Sequence, residues 1–362
     1  MTNSALDLLV RRELGSWSCQ WDRMVDAAAV PSPFMRSWWL TATAGPRPCF
    51  LLAVRKDQLL GGLALEESRR LGVSCLRMMG AGPLCPDNLD LLAAPDQEEG
   101  VLSLVQTWLG RPGSRLLVFE GVAATSRLVA VLPDGVRPDT MAVAPWTPIP
   151  QSSDEYISDR PALFRRNLRR AATRLAATGA THRTQRGSAA LERLDVLRKL
   201  HHAQWGERSN FLPHFDTFAA GCRLAAEVDE LAVHELRADQ TVAAILVAFE
   251  VGRRVSFYQS ARLTDNCWRE ASTVLLAAAI SDACERGFTE VDFLRGDEPY
   301  KRNFASQRRD LLRLQVAKGW PAKLAMKADT AGRRARRIVS FTATQSTLLV
   351  RRKSRGKRAT RQ

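Results

Sequence analysis

A cluster of charged and phenolic residues late in the chain has the residue types best suited to chemistry. The segment reads Val-Asp-Phe-Leu-Arg-Gly-Asp-Glu-Pro-Tyr-Lys at residues 291–301. Its acids, bases and phenol can together accept, hold and donate protons around one substrate. The apolar residues fit a buried strand, which Gly296 and Pro299 end. The sequence therefore predicts that the polar cluster lies at the carboxyl end of a strand, where ligands bind in α/β folds. An ordinary charged turn is the alternative.

The segment resembles a signature of the GNAT superfamily of acetyltransferases, in the group of cellulose-biosynthesis (CelD/BioF-like) proteins related to the FemAB peptidyltransferases. The resemblance implies an acyltransferase that moves an acyl group from a thioester such as acetyl-CoA, without a metal. The acceptor would be an amine or a sugar-linked group, in exopolysaccharide or cell-envelope metabolism. Members of the superfamily use a carboxylate to accept the proton of the amine and a tyrosine to protonate the leaving thiol. The predicted catalytic residues are Asp297, Glu298, Tyr300 and Lys301.

A carboxylate with an ordinary pKa is a weak base. The pKa of the catalytic acid must therefore be raised, whereas Arg295 and Lys301 would lower it. This conflict predicts a division of labour. One of Asp297 and Glu298 pairs with Arg295 to hold the loop, and the other accepts the proton.

The elements that must position this cluster follow from hydrophobic periodicity. The second half predicts strands at residues 180–186, 231–237, 242–251, 254–260, 290–294 and 310–317, and helices at 191–204, 212–227 and 269–286. The first half predicts a matching series, with helices at residues 21–29, 34–43 and 97–109 and strands at 50–54, 59–65, 73–79 and 115–120. Each half turns a hairpin at an Asp-Gln dipeptide, at residues 57–58 and 239–240. The repeated order predicts an α/β fold of two tandem GNAT-like halves, each a mixed, mostly antiparallel sheet flanked by helices.

The predicted boundaries place an N-terminal GNAT-like half at residues 1–150 and a C-terminal acetyltransferase domain at residues 151–320. A basic, flexible tail follows at residues 321–362. Residues 133–153 are predicted to be an extended connection, because their prolines disfavour a helix. Arginines spaced three and four residues apart predict a basic helix at residues 160–178.

A thioester donor with phosphate groups needs unpaired N–H groups, which a helix start supplies. The helix predicted from residue 269 adds the charge of Arg269 and the hydroxyls of Ser272 and Thr273. The resemblance places the pantetheine arm of the donor along the strand before this helix, which makes Tyr258 and Gln259 further candidates. It also implies that Trp205, Arg208 and Arg295 contact the acceptor.

The helix start has no glycine, although members of the superfamily have a glycine-bearing loop there, and Glu270 would repel a pyrophosphate unless it points away. An aminoacyl-tRNA donor, as in the FemAB relatives, is therefore an alternative to acyl-CoA.

The net charge of the chain is +15, and residues 323–362 contribute +12 of it through thirteen Lys and Arg and a single Asp. Such a tail would bind an anionic membrane surface, RNA or a polyanionic polysaccharide. A non-catalytic nucleic-acid- or polyanion-binding protein that acts through this tail is a second function class. The seven cysteines lack metal-ligand spacing and are expected to be reduced. The sequence has no membrane-spanning apolar run, so we expect a cytoplasmic protein, with peripheral association at the inner membrane surface as an option.

Overall fold

The computed structural model describes residues 5–133 and 136–328. Strands lie at Asp7–Arg11 (β1), Pro48–Arg55 (β2), Gln58–Arg70 (β3), Val73–Met78 (β4), Leu92–Ala93 (β5), Arg115–Ala123 (β6), Asp139–Pro148 (β7), Thr181–Arg186 (β8), Leu231–Ala238 (β9), Thr241–Val251 (β10), Arg254–Arg262 (β11), Glu290–Asp292 (β12) and Gln307–Lys318 (β13). Helices lie at Ser18–Asp26 (α1), Ser37–Thr43 (α2), Glu98–Gly110 (α3), Leu128–Val131 (α4), Ser153–Ser158 (α5), Ala162–Ala176 (α6), Gly187–Leu191 (α7), Leu194–Trp205 (α8), Phe215–Glu227 (α9), Ala271–Glu285 (α10) and residues 320–328 (α11).

The strands form a 13-stranded sheet whose order is nearly symmetric about its centre. One edge runs β1-β2-β3-β4-β6 and the other runs β8-β9-β10-β11-β12, with β13 and β7 between them. In each half the last pair of this series, β4 with β6 and β11 with β12, is parallel, while the pairs before it are antiparallel. The repeat predicted from the sequence is thus present in the strand pairing.

The halves exchange their last strands. Strand β7 follows β6 in the chain but pairs with β12 and β13, and β13 follows β12 but pairs with β6 and β7. The predicted α/β fold with helices on a mixed sheet is confirmed, and its two sheets join at the β7–β13 pair into one continuous sheet. The segment predicted to be a connection therefore supplies a central strand. Pro145 can occupy this strand because its carbonyl still accepts a hydrogen bond, from Phe293 N at 2.9 Å.

Both faces of the second half are covered by helices. Helix α10 packs on one face with α5 and α6, and its alanine-rich sequence lets it lie close to β9, β10 and β11. Helix α8 packs on the opposite face of β11, while α9 contacts α2 of the first half. An aromatic cluster fills the space between the halves and consists of Phe34, Trp39, Phe218, Phe249 and Tyr258. The halves therefore share a core.

Other predicted elements can be located in the described residues. The basic helix is α6, and the two Asp-Gln hairpins are the tight turns that join β2 to β3 and β9 to β10. Residues 321–328 of the predicted tail are helical, and the rest of that tail lies outside the described residues. Within residues 5–133 and 136–328, the helices are too short or too polar to cross a membrane.

Candidate active site

The parallel strands β11 and β12 diverge after a short pairing. They pair from Arg254 opposite Glu290 to Ser256 opposite Asp292, and β11 then continues to Arg262 without β12 beside it. The chain after Asp292 instead follows β7, because Gly296 N donates a hydrogen bond to Val143 O at 2.9 Å. The two strands therefore separate at their carboxyl ends.

The backbone of the loop at residues 294–301 requires a glycine. Gly296 has φ +116°, and a Cβ atom there would lie 2.4 Å from the carboxylate of Glu298. Lys301 is 5% exposed and lies beneath the loop. Its ammonium group donates to Arg295 O at 2.8 Å and to Leu294 O at 3.3 Å, and it pairs with Glu298 at 2.9 Å. The three ammonium protons of Lys301 thus have acceptors, so this predicted catalytic residue holds the loop closed.

The two neighbouring acids of the loop have different surroundings. Asp297 pairs with Arg302 at 2.5 Å and with Arg308 at 3.4 Å. The hydrogen bond from Arg302 lowers the pKa of Asp297, which makes this carboxylate a weaker base. The side chain of Glu298 is 54% exposed and pairs with Lys301. The pKa of Tyr300 is raised to about 12 by desolvation of its hydroxyl group and by the charge of Glu298.

Arg295 does not pair with either of these acids, and the expectation that one of them would hold it is wrong. Arg295 Nε and N donate to the two carboxylate oxygens of Asp87, each at 2.6 Å, and Nη2 donates to Pro86 O at 2.8 Å. Asp87 belongs to the first half and is fully buried. Burial raises its pKa to about 6, although Arg295 opposes the shift. A loop of the first half therefore fixes the start of the candidate site loop.

A second buried contact ties the same elements together, and the sequence did not indicate it. Asp292 accepts hydrogen bonds from Asn88 at 2.9 Å and from Leu294 N at 2.7 Å, and it lies 3.4 Å from Arg254. All the side chains involved are buried. An acid inside the apolar run of β12 is the signal that predicts a buried partner.

The start of α10 lies at the same end of the sheet, since α10 follows the carboxyl end of β11. Glu270 was expected to repel a phosphate, but its side chain pairs with Arg174 of α6 and with Arg269. No side-chain hydrogen bond caps α10, so the first N–H groups of this helix have no side-chain acceptor at Glu270. A helix start with two arginines beside it fits a phosphate-bearing donor.

Strand β11 positions the two donor candidates differently. The hydroxyl of Tyr258 donates to Leu84 O at 2.6 Å, and its ring lies in the aromatic cluster between the halves. Tyr258 occupies a bulge, since Gln259 and Phe257 pair with consecutive residues of β10. The structure thus places Tyr258 on the side of the first half, while Gln259 is partly exposed.

The residues predicted to contact the acceptor approach the same end from the face opposite α10. Gln204 Oε1, at the end of α8, accepts a hydrogen bond from Arg262 N at 3.3 Å. Trp205 follows with 45% exposure, and Arg208 is exposed. The start of α10 and the end of α8 therefore lie at the carboxyl end of β11, on opposite faces of the sheet, and the 294–301 loop follows the neighbouring strand β12. In residues 5–133 and 136–328, no group of three or more His, Cys, Asp or Glu side chains forms a metal site.

Comparisons with known proteins agree with this geometry. Residues 162–302 match the family model described as acetyltransferase (GNAT) domain. The crystal structure of FemX is similar over 82% of this chain and 95% of that chain, with TM-score 0.59 and 10% identity. A conserved protein of unknown function from Bacteroides thetaiotaomicron VPI-5482 is similar over 86% of this chain and 100% of that chain, with TM-score 0.52 and 10% identity. No curated protein matches the sequence. The two solved structures show the fold, and the family model matches residues 162–302.

Proposed function

We propose that the chain is an acyltransferase that acylates an amine from a thioester donor such as acetyl-CoA. The match of residues 162–302 to the GNAT acetyltransferase domain and the fold shared with FemX support this proposal. The divergence of β11 from β12 carries the proposal. The start of α10 follows β11 and the 294–301 loop follows β12, so both lie at the carboxyl ends of two parallel strands. A donor with phosphates and an acceptor can meet there.

The donor is proposed to lie along β11 beyond Ser256, with its phosphates at the first turn of α10. Backbone N–H groups of that turn, the charge of Arg269 and the hydroxyls of Ser272 and Thr273 would hold the phosphates. Arg174 supports this arrangement because it neutralises Glu270.

Glu298 is proposed as the proton acceptor. The nitrogen of the amine attacks the thioester carbonyl carbon, its proton passes to Glu298, and the C–S bond breaks. Glu298 then returns the proton to the thiolate, since a carboxylic acid is far more acidic than a thiol. Tyr300 is ill suited to this last step, because a phenol with a pKa of about 12 gives up its proton less readily than a thiol does. Its hydroxyl instead suits a hydrogen bond to the developing oxyanion.

The acceptor is proposed to approach from the end of α8, where Trp205 and Arg208 are exposed. An aromatic ring and a guanidinium suit a sugar-linked acceptor that carries an anionic group. This chemistry fits a role in exopolysaccharide or cell-envelope metabolism.

One observation favours an aminoacyl-tRNA donor as the second candidate. Helix α6 exposes Arg166, Arg169, Arg170 and Arg174, and the last of these contacts Glu270 at the start of α10. A basic helix that continues from the donor site would suit an RNA backbone.

Calorimetric titration of the full chain with acetyl-CoA, and separately with aminoacylated tRNA, tests the donor. We expect saturable acetyl-CoA binding that persists in Glu298→Gln and weakens in Arg269→Glu. Saturable binding of tRNA with no heat from acetyl-CoA would replace the first donor by the second. Absence of binding to both would reject the proposed function.

A further inference from the structure

Three large apolar side chains are exposed at one end of the first half. Leu71 is 71% exposed, Trp320 is 72% exposed and Leu324 is 56% exposed. Leu71 lies in the tight turn between β3 and β4 with φ +48°, a conformation that holds its side chain at the tip. Trp320 and Leu324 lie one helical turn apart on α11.

Helix α11 separates its apolar residues into two faces. Ala322 and Ala325 face inward, where they are buried with Val73 of β4. The outward face carries Trp320, Lys323, Leu324 and Lys327, all exposed and spaced as neighbours on one side of a helix. Val73 is two residues from Leu71, so the turn and the helix lie side by side. The α11 surface consists of Leu71, Trp320, Lys323, Leu324 and Lys327.

Basic residues surround the α11 surface. Arg69 and Arg70 are exposed immediately before Leu71, and Arg115 lies opposite Lys318 at the end of β13 that leads into α11. The described chain ends at residue 328, and the sequence of residues 329–362 adds eleven Lys and Arg against one Asp. The most basic part of the chain is therefore attached directly to the exposed apolar residues.

We propose that the α11 surface docks on an anionic lipid bilayer, with Trp320, Leu324 and Leu71 entering the interface and the basic residues contacting the headgroups. Tryptophan favours the boundary between water and acyl chains, and exposed leucines gain from leaving water. Weak apolar insertion and a polybasic segment together suffice for stable attachment where either alone is weak. RNA offers phosphates to the basic residues but no apolar phase to the leucines, so the bilayer explains more of the surface.

Vesicle sedimentation with the full chain tests the inference, using phosphatidylcholine alone and phosphatidylcholine mixed with phosphatidylglycerol. We expect binding to the mixed vesicles and little to the neutral ones. The double variant Trp320→Ser, Leu324→Ser should bind the mixed vesicles about tenfold more weakly, because two side chains no longer leave water. The matched control Leu163→Ser, Val228→Ser removes equally exposed side chains elsewhere and should bind as the unchanged chain does.

Thermal unfolding controls for the fold, since outward side chains can be removed without changing the unfolding midpoint. If the double variant binds the mixed vesicles as tightly as the unchanged chain, apolar docking is overturned and charge alone attracts the chain to polyanions, RNA included. Equal weakening by the control variant would overturn the assignment to the α11 surface.

Discussion

The two halves share one strand order but differ in which part of the chain lies where their parallel strands diverge. In the first half, Leu89 pairs beside Val122 of β6, and β5 just after it pairs with β3. The chain of the first half thus fills the space that β4 vacates. In the second half, β11 continues beyond its pairing with β12, and a loop of the first half contacts it there, where Tyr258 donates a hydrogen bond to Leu84 O at 2.6 Å.

The helices that connect the two strands of each parallel pair also differ in charge. Helix α3 begins with Glu98 and Glu99, which would repel a phosphate. Helix α10 begins next to Arg269 and Arg174, which outnumber Glu270. The two halves thus share a scaffold, and the second half has the excess positive charge that the proposed donor site needs. The first half acts as a wall and support for the second.

The contact by which the first half supports the 294–301 loop can be removed by changing Asp87. Its replacement by Ala would leave Arg295 without its buried partner, and such a loss costs about 3 kcal/mol of unfolding free energy. Urea unfolding measures the effect. Asp297→Ala, which removes an exposed acid of the same loop, serves as the control and should leave the midpoint nearly unchanged. Equal destabilisation by both variants would contradict the proposed support.

The variants Glu298→Gln and Asp297→Asn test which of the two acids of the second half accepts the proton. The first variant should lower kcat about 100-fold, because it removes the general base. The second should retain most activity, since Asp297 pairs with Arg302 and has a lowered pKa. Steady-state release of free thiol measures both. A larger loss in Asp297→Asn would exchange the two roles.

The junction between the halves should respond to pH through Asp87. Burial raises its pKa from 3.8 to about 6, so the folded chain binds this proton more tightly than the unfolded chain. Protonated Asp87 therefore stabilises the folded chain fully below the pKa of this group in the unfolded chain. This stabilisation is lost as the pH rises through about 6. Between about pH 4.5 and 7.5, the unchanged chain should lose about 2 kcal/mol relative to Asp87→Asn. Urea unfolding of both chains at the two pH values measures this difference. If the unfolding free energies of both chains change equally with pH, the prediction is wrong.

The charge difference between the helix starts gives the smallest expected effect. Arg269→Glu should weaken acetyl-CoA binding about tenfold, because a charge beside the phosphates is reversed. Glu98→Lys at the start of α3 is the matched change in the first half and should not alter the affinity. Calorimetry compares the two. A gain of affinity in Glu98→Lys would show that the first half also binds the donor.

The sequence predicted the elements whose signal is local. Helix α10 and strand β10 have long apolar patterns, and the two hairpins have tight turns, so their positions agree within a few residues. Strand β7 lies in the segment predicted to be an extended connection, because its prolines disfavour a helix. Its pairing could not be predicted, since its partner strands lie far away in the chain.

The candidate site was predicted in part for the same reason. The loop at residues 294–301 follows its strand as expected, although β12 ends at Asp292, two residues before the predicted strand end. The partner of Arg295 could not be predicted, since Asp87 lies 208 residues earlier and is brought close by the exchange of strands. The sequence favoured a partner of Arg295 within the loop, whereas the fold pairs Arg295 with Asp87 and leaves Glu298 to Lys301.

Hydrogen exchange of the full chain with and without acetyl-CoA tests most directly whether the donor binds in the second half. We predict slower exchange at residues 257–262 of β11 and at residues 271–274 of α10, where the donor would cover backbone N–H groups. The start of α3 at Glu98 should exchange at an unchanged rate. Protection at α3 or along β4, with none at β11 and α10, would contradict the account.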